Sequence, residues 1–298
     1  MEAASPAHAA VSADIPRRQV DFEFDPAKVP LDWYRDDVFV STFLDALSLL
    51  FPEGERFFVE SVKKLRHHVQ DPDLAAAVEG FIGQEAMHGK EHRAFNAMFL
   101  AQGLTSSVRL ERQLEGLLDR VRRDLPAPSR LAATCALEHF TAMMAEASLR
   151  HEGMRDGMHA TIRPLWVWHA LEENEHKAVA FDVYRAAGGG YVRRVGIMIL
   201  TTLIFFAFTA WVHAHFLAQR NVLWKPWRWV RGATHMWIYP GWFTRLVPAY
   251  LSYFRPGFHP DDRDTRALLA TWRERLFGAD GELRDNLRGV WVPGAKVA

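Results

Sequence analysis

Four stretches of this chain carry glutamate and histidine where an amphipathic helix should present its apolar stripe, and nothing else in the sequence constrains the fold as tightly. In FIGQEAMHGKEHRAF (81–95) and its flanks, Leu74, Val78, Phe81, Glu85, His88, His92, Phe95 and Phe99 follow one another in steps of four and three. Such steps keep all eight side chains on one helix face. A helix over about 38–69 repeats the arrangement with Phe51, Glu55, Phe58, Val62 and Leu65, a register that admits Glu55 and turns Glu53 and Glu60 away. Over about 129–151 the stripe is Leu131, Cys135, Glu138, Ala142, Ala145 and Leu149, with His139 and Glu146 to the side. Over about 161–187 it is Leu165, His169, either Glu172 or Glu173, His176, Val179 and Val183.

Breakers separate these segments: DPD at 71–73, DLPAPS at 124–129, HEGMRDG at 151–157 and AAGGG at 186–190. No strand-like alternation intervenes, so the fold class is all-α. The segment 107–124 places Leu110, Leu114, Leu117 and Val121 on one face with charges opposite, as a crossover helix lying outside two helical pairs would. The expected organisation is a mobile N-terminal tail and lead-in over 1–37, a helical bundle over 38–190, an apolar Trp- and Arg-rich helical region over 191–260, and a polar tail over 261–298 containing a short helix near 261–277.

One buried Glu or His is ordinarily a hydrogen-bonded core group or half of an ion pair. Repeated on four helices, that explanation needs several carboxylates packed together, which is costly unless cations neutralise them. No Arg or Lys lies in these seams. Metal ions are the direct solution, and mixed carboxylate and imidazole donors suit iron, manganese or zinc.

One Glu from each of two helices, Glu55 and Glu138, combines with an ExxH pair from each of two others, Glu85 with His88 and Glu173 with His176. The i, i+3 spacing puts both side chains of a pair on one face, one turn apart, aimed at one metal. This set resembles the ferritin-like di-iron or di-manganese carboxylate proteins, whose four-helix bundle carries it. The likeness favours Glu173 over Glu172, although Glu172 fits the strict seam slightly better. With His169 four residues before Glu173, HxxxExxH (169–176) is similar to the di-iron arylamine N-oxygenases, in which a third His joins four carboxylates. His92 and Glu172 are left as an additional ligand or as supports behind the ligands, with a simple surface or packing role the alternative for His92. Across about 40–255, the wording FPEGERFF, FIGQEAMHGKEH, ALEHFTAM and EENEHKAVAFDVY resembles the bacterial family called predicted metal-dependent hydrolases. The ligands implied by that resemblance coincide with those read from the seams.

Lys plus Arg equals Asp plus Glu at 36 each, which supplies no global basic field for nucleic acid. The single Cys135 excludes an internal disulfide framework. Residues 195–217, VGIMILTTLIFFAFTAWVHAHFL, run for 23 positions without a formal charge, long enough to span a bilayer. Arg220, Lys225, Trp227, Arg228, Trp229 and Arg231 follow, a composition suited to lipid headgroups. The expectation is a metal domain at the cytoplasmic face of the inner membrane. The alternative is a soluble cytoplasmic protein whose extra helix is covered by the bundle or by a homodimer partner.

The expected activity is that of a di-iron enzyme, binding two iron ions with manganese or zinc as substitutes, that uses O2 and an electron donor to oxidise an apolar or lipid-like substrate. The alternative is a metal-dependent hydrolase using a water activated by two ions.

Overall fold

The structure, a computed structural model, describes residues 15–239 and 241–292. Eleven helices follow one another among these residues: α1 (Val38–Leu65), α2 (Pro72–Ala101), α3 (Ser107–Asp124), α4 (Ala127–Arg150), the single turn α5 (Glu152–Arg155), α6 (Arg163–His176), α7 (Val179–Ala186), α8 (Tyr191–Gln219), α9 (Pro226–Trp237), α10 (Trp242–Ser252) and α11 (Arg266–Phe277). One two-stranded antiparallel ribbon, β1 (Arg17–Val20) with β2 (Leu287–Trp291), joins the two ends of the described chain. The protein is an all-α helical bundle, as its periodicity requires.

The helix starts have local causes. Asp37 caps α1 by accepting from the amides of Phe39 and Val40, and Asp71 caps α2, which begins at Pro72, by accepting from that of Asp73. The core is formed by α1 and α2 packed together, α4 packed on α6 and α7, and α3 crossing the outside against α1 and α2. The helix expected over 161–187 is interrupted at Lys177 and Ala178, just after His176. There the Lys177 ammonium donates to the Arg263 carbonyl at 2.6 Å and to Thr265 Oγ1 at 3.2 Å.

The N-terminal lead-in differs from expectation. Residues 1–14 lie outside the described residues, but from Ile15 the chain is packed: Ile15 and Val20 are buried, and Arg17 pairs with Trp291 across the ribbon. The polar C-terminal tail supplies the partner strand. Gly80 on α2 permits this close approach, since a Cβ there would meet the Ile15 carbonyl oxygen at 2.5 Å. A four-residue strand rich in Arg and Gln has too little alternation to be read as one, and its pairing partner lies at the other end of the chain.

The helix α8 is long and apolar enough to cross a membrane, with a mean hydropathy of 2.2 over its best 18-residue window. Only 17% of that window is buried, so within the chain it is not the covered extra helix of the alternative expectation. It packs lengthwise on α1 and α4. Arg194 near its start donates to the Tyr253 and Arg255 carbonyls, His213 contacts the Phe39 carbonyl at 3.0 Å, and Gln219 at its end binds Ser106.

Candidate metal centre

Glu55, Glu85, His88, Glu138, His169, Glu173 and His176 converge in the middle of the bundle, all buried. Two groups emerge, Glu55 with His88 and His169, and Glu85 with Glu173 and His176; within each, the donor atoms lie within 4.8 Å of one another. Two glutamates link the groups. Glu173 Oε1 lies 2.8 Å from His169 Nε2 and 3.7 Å from His88 Nδ1, while its Oε2 lies 3.7 Å from His176 Nε2. Glu85 Oε1 lies 3.1 Å from His176 Nε2, while Oε2 lies 3.9 Å from His88 Nδ1. Glu55 completes the first group, with Oε1 3.7 Å from His169 Nε2, and Glu138 flanks the second, with Oε2 3.5 Å from His176 Nε2.

Of the two ExxH pairs, Glu173 and His176 fall in one group, while Glu85 and His88 are divided between the two. Glu85 groups with His176 and His88 with Glu55, each finding a near partner on a facing helix. Glu85 and Glu173 thus lie between the two groups.

Glu172 and Glu173 touch different partners. Glu172 turns away from the cluster: its Oε1 accepts from Arg18 at 2.8 Å and its Oε2 lies 3.1 Å from His88 Nε2. His92 likewise stands behind a ligand, its Nε2 2.7 Å from His169 Nδ1.

Whether metal fits is answered by unpaired atoms. Both carboxylate oxygens of Glu55, Glu85 and Glu138, Oε2 of Glu173, Nδ1 of His88 and Nε2 of His176 are buried without a hydrogen-bond partner. Each such atom costs about 1–3 kcal/mol, more when charged. They all face the same space, and cations placed there would satisfy them together. In the metal-free chain burial, reinforced by neighbouring carboxylates, pushes Glu55 and Glu138 well above the usual carboxylate range, and burial raises Glu85 as well. Burial holds His88 well below the ordinary histidine value. Burial would also raise Glu173, but a hydrogen bond from His169 and the positive charge of His176 and His169 outweigh it and hold that carboxyl low. Metal binding therefore displaces protons, and affinity rises with pH.

Each of the three histidines has its second nitrogen engaged. His88 Nε2 faces Glu172, and His176 Nδ1 lies 2.9 Å from Gln84 Oε1. The His169 support is longer and its directions follow one from another. Pro52 has no amide hydrogen, so the Ser48 carbonyl of α1 lacks its helical donor, and Asn96 Nδ2 donates to it at 3.0 Å. That fixes the Asn96 amide with Oδ1 accepting from the Ser48 hydroxyl at 2.6 Å. Ser48 Oγ, 2.8 Å from His92 Nδ1, must then accept from it. His92 Nε2 in turn accepts from His169 Nδ1, so Nε2 is the His169 nitrogen that faces the cluster; it bonds Glu173 in the metal-free chain and, once its proton is displaced, would offer its lone pair to a metal. Asn96→Leu should break this relay and weaken metal binding about 10–100-fold, with stoichiometry unchanged; competition against a graded chelator measures it, and unaltered affinity would show the relay to be idle.

Arg18, Ser48, Gln84, Asn96 and Glu175 were missed by sequence reasoning. Ser48 lies seven residues before Glu55 and Asn96 four after His92, so continuing the polar run along each seam would have found both. Arg18 carried no local signal. It enters from β1 to bind Glu172 and both oxygens of Glu175, and Glu175 also accepts from Arg273 at 2.6 Å and Gln84 at 2.8 Å. The negative charge around the site is thus met partly by arginines from outside the seams.

Two apolar cavities reach the cluster. One touches His169 and Glu173 and is lined by Phe43, Leu47, Met144 and Trp166 among others; the second touches Glu55 between α1, α3, α4 and α8. Phe51 and Thr141 line both.

A family model described as predicted metal-dependent hydrolase matches residues 16–264. No curated protein and no solved structure matches the chain. The match spans every helix that contributes to the cluster and the Arg18 strand, and the chain belongs to the family of predicted metal-dependent hydrolases.

Proposed function

We propose that the protein is a dinuclear metal-dependent hydrolase acting on a substrate with a long apolar portion. The observation that carries this reading is the pair of Glu/His groups joined through Glu85 and Glu173 at the inner end of two apolar cavities. Two bound ions would lower the pKa of a shared water and polarise the scissile carbonyl or phosphoryl group. Glu55, His88 and His169 would hold one ion and Glu138 and His176 the other, with Glu85 and Glu173 between them. Phe43, Leu47, Phe51 and Met144 would hold the apolar portion and exclude bulk water. Thr141, where the cavities meet, spends its hydrogen on the Glu138 carbonyl at 3.1 Å, leaving lone pairs that orient a donor on the substrate.

A second reading, an O2-dependent oxidase or oxygenase of ferritin-like type using two iron ions, is favoured by one observation: four carboxylates and two imidazoles in an apolar bundle interior are the donor set that such iron proteins use, with His169 as a third imidazole beside them. One comparison separates the two. Chain loaded with manganese or zinc should hydrolyse long-chain acyl esters equally with and without O2. Turnover only with Fe(II), a reductant and O2, with O2 consumed in proportion to product, would reverse the ranking.

A further inference from the structure

We infer that the outer face of α8, α9 and α10 is a docking surface for an anionic lipid bilayer, on which the protein sits without crossing it. Three observations carry this.

The first is exposed apolar surface. Along α8, Val192, Ile199, Leu203 and Phe206 form an outward stripe, with Leu203 65% exposed. On α9 and just beyond it, Trp227, Val230, Trp237 and Ile238 are exposed, and Val247 and Leu251 extend the patch on α10. The helices are contiguous, since Thr202 on α8 lies 3.1 Å from the Tyr250 hydroxyl and the Phe206 ring meets that of Phe243 at 6.3 Å. Tryptophans at the edge of such a face suit the headgroup level.

The second is charge. In a chain whose charges balance overall, no Asp or Glu occurs between residues 183 and 260, while Arg193, Lys225, Arg228 and Arg245 lie there, and Arg231 beside them pairs with Asp37 at 3.0 Å. A face with one sign of charge attracts anionic headgroups and repels a second copy of itself.

The third is the route inward. A cavity lined by Phe206, Trp237 and Val247 at the exposed face shares Phe43, Leu47 and Met144 with the cavity that reaches His169 and Glu173. On the other side of α8, exposed Leu200 and Ile204 line the cavity that reaches Glu55. The first apolar path therefore begins on the face that would meet lipid, and the second at the flank of α8 beside it. An acyl chain can leave the bilayer for the cluster without crossing water, a deduction that rests on the proposed enzymatic reading; the docking itself does not.

Seating on the surface follows from the packing. The helix α8 is bound lengthwise to α1, so a crossing α8 would carry α1 with it, including exposed Arg56 and Glu60. Such charges are costly in hydrocarbon.

Cosedimentation of the metal-loaded full chain with vesicles tests this and involves no turnover, so a failed hydrolysis assay would leave it standing. Binding should be strong to phosphatidylcholine mixed with phosphatidylglycerol, and about tenfold or more weaker to phosphatidylcholine alone or in high salt. Leu203→Glu and the pair Lys225→Glu with Arg228→Glu, at two exposed positions and the half-buried Arg228, should each lower binding about tenfold while the circular dichroism spectrum stays intact. Absence of binding to anionic vesicles, or binding indifferent to both variants, would overturn the assignment. So would protein retained after an alkaline wash, which would mean insertion, or a dimer dissociated by Leu203→Glu, which would give the face to a second copy.

Discussion

Glu173→Ala should empty both metal positions. Its Oε1 faces His169 and His88 and its Oε2 faces His176, so its removal takes a donor from each group at once. Glu138→Ala, by contrast, removes a donor beside His176 only and should leave the other position filled. Metal analysis after desalting should therefore find two ions per chain in the wild type, about one in Glu138→Ala and nearly none in Glu173→Ala. Two ions retained by Glu173→Ala would mean that the bridging position is misassigned. Chelation of the wild type should lower its melting temperature, since a ligand present at about a thousand times its dissociation constant stabilises the fold by about 4 kcal/mol.

Arg18→Ala should be the most damaging change outside the ligand set. The Arg18 guanidinium is buried, is shared by Glu172 and Glu175, and lies over the Phe277 ring at 4.9 Å. Without it Glu172 loses its arginine counter-charge and keeps its contact with His88. Breaking a buried pair of this kind costs about 3–5 kcal/mol, chiefly because a carboxylate is left without its counter-charge. Arg273→Ala removes a more exposed partner of Glu175, with 37% of its side chain accessible, and should cost about 1 kcal/mol or less. Urea denaturation of the two variants measures the difference, and equal losses would mean that Arg18 is merely a surface ion pair. Arg18→Ala should also weaken metal binding, because Glu172 is what holds the His88 ring.

Much of this site was legible in the periodicity. Glu55, Glu85, His88, Glu138, His169 and His176 all occupy seam positions that the bundle buries, since inward-facing positions on a helix depend only on local spacing. Adjacent residues on a helix differ by about 100° in direction, and that is too coarse when both border the seam. Glu172 and Glu173 are such a pair, and both are buried. What separates their surroundings is Arg18, which is 154 positions away in sequence and reaches Glu172 because β1 packs on α2 and pairs with β2.

The same boundary runs through the rest of the molecule. The helical class, the crossover α3 and the apolar length of α8 are properties of local spacing and composition, and the sequence by itself determined them. The ribbon joining the two ends of the described chain, the sharing of Glu85 and Glu173 between two groups, the relay from Pro52 to His169 and the exposure of α8 were decided only by tertiary structure. Each depends on which distant surfaces meet, and that is set by the packing of whole helices, in which no single residue's preference is decisive.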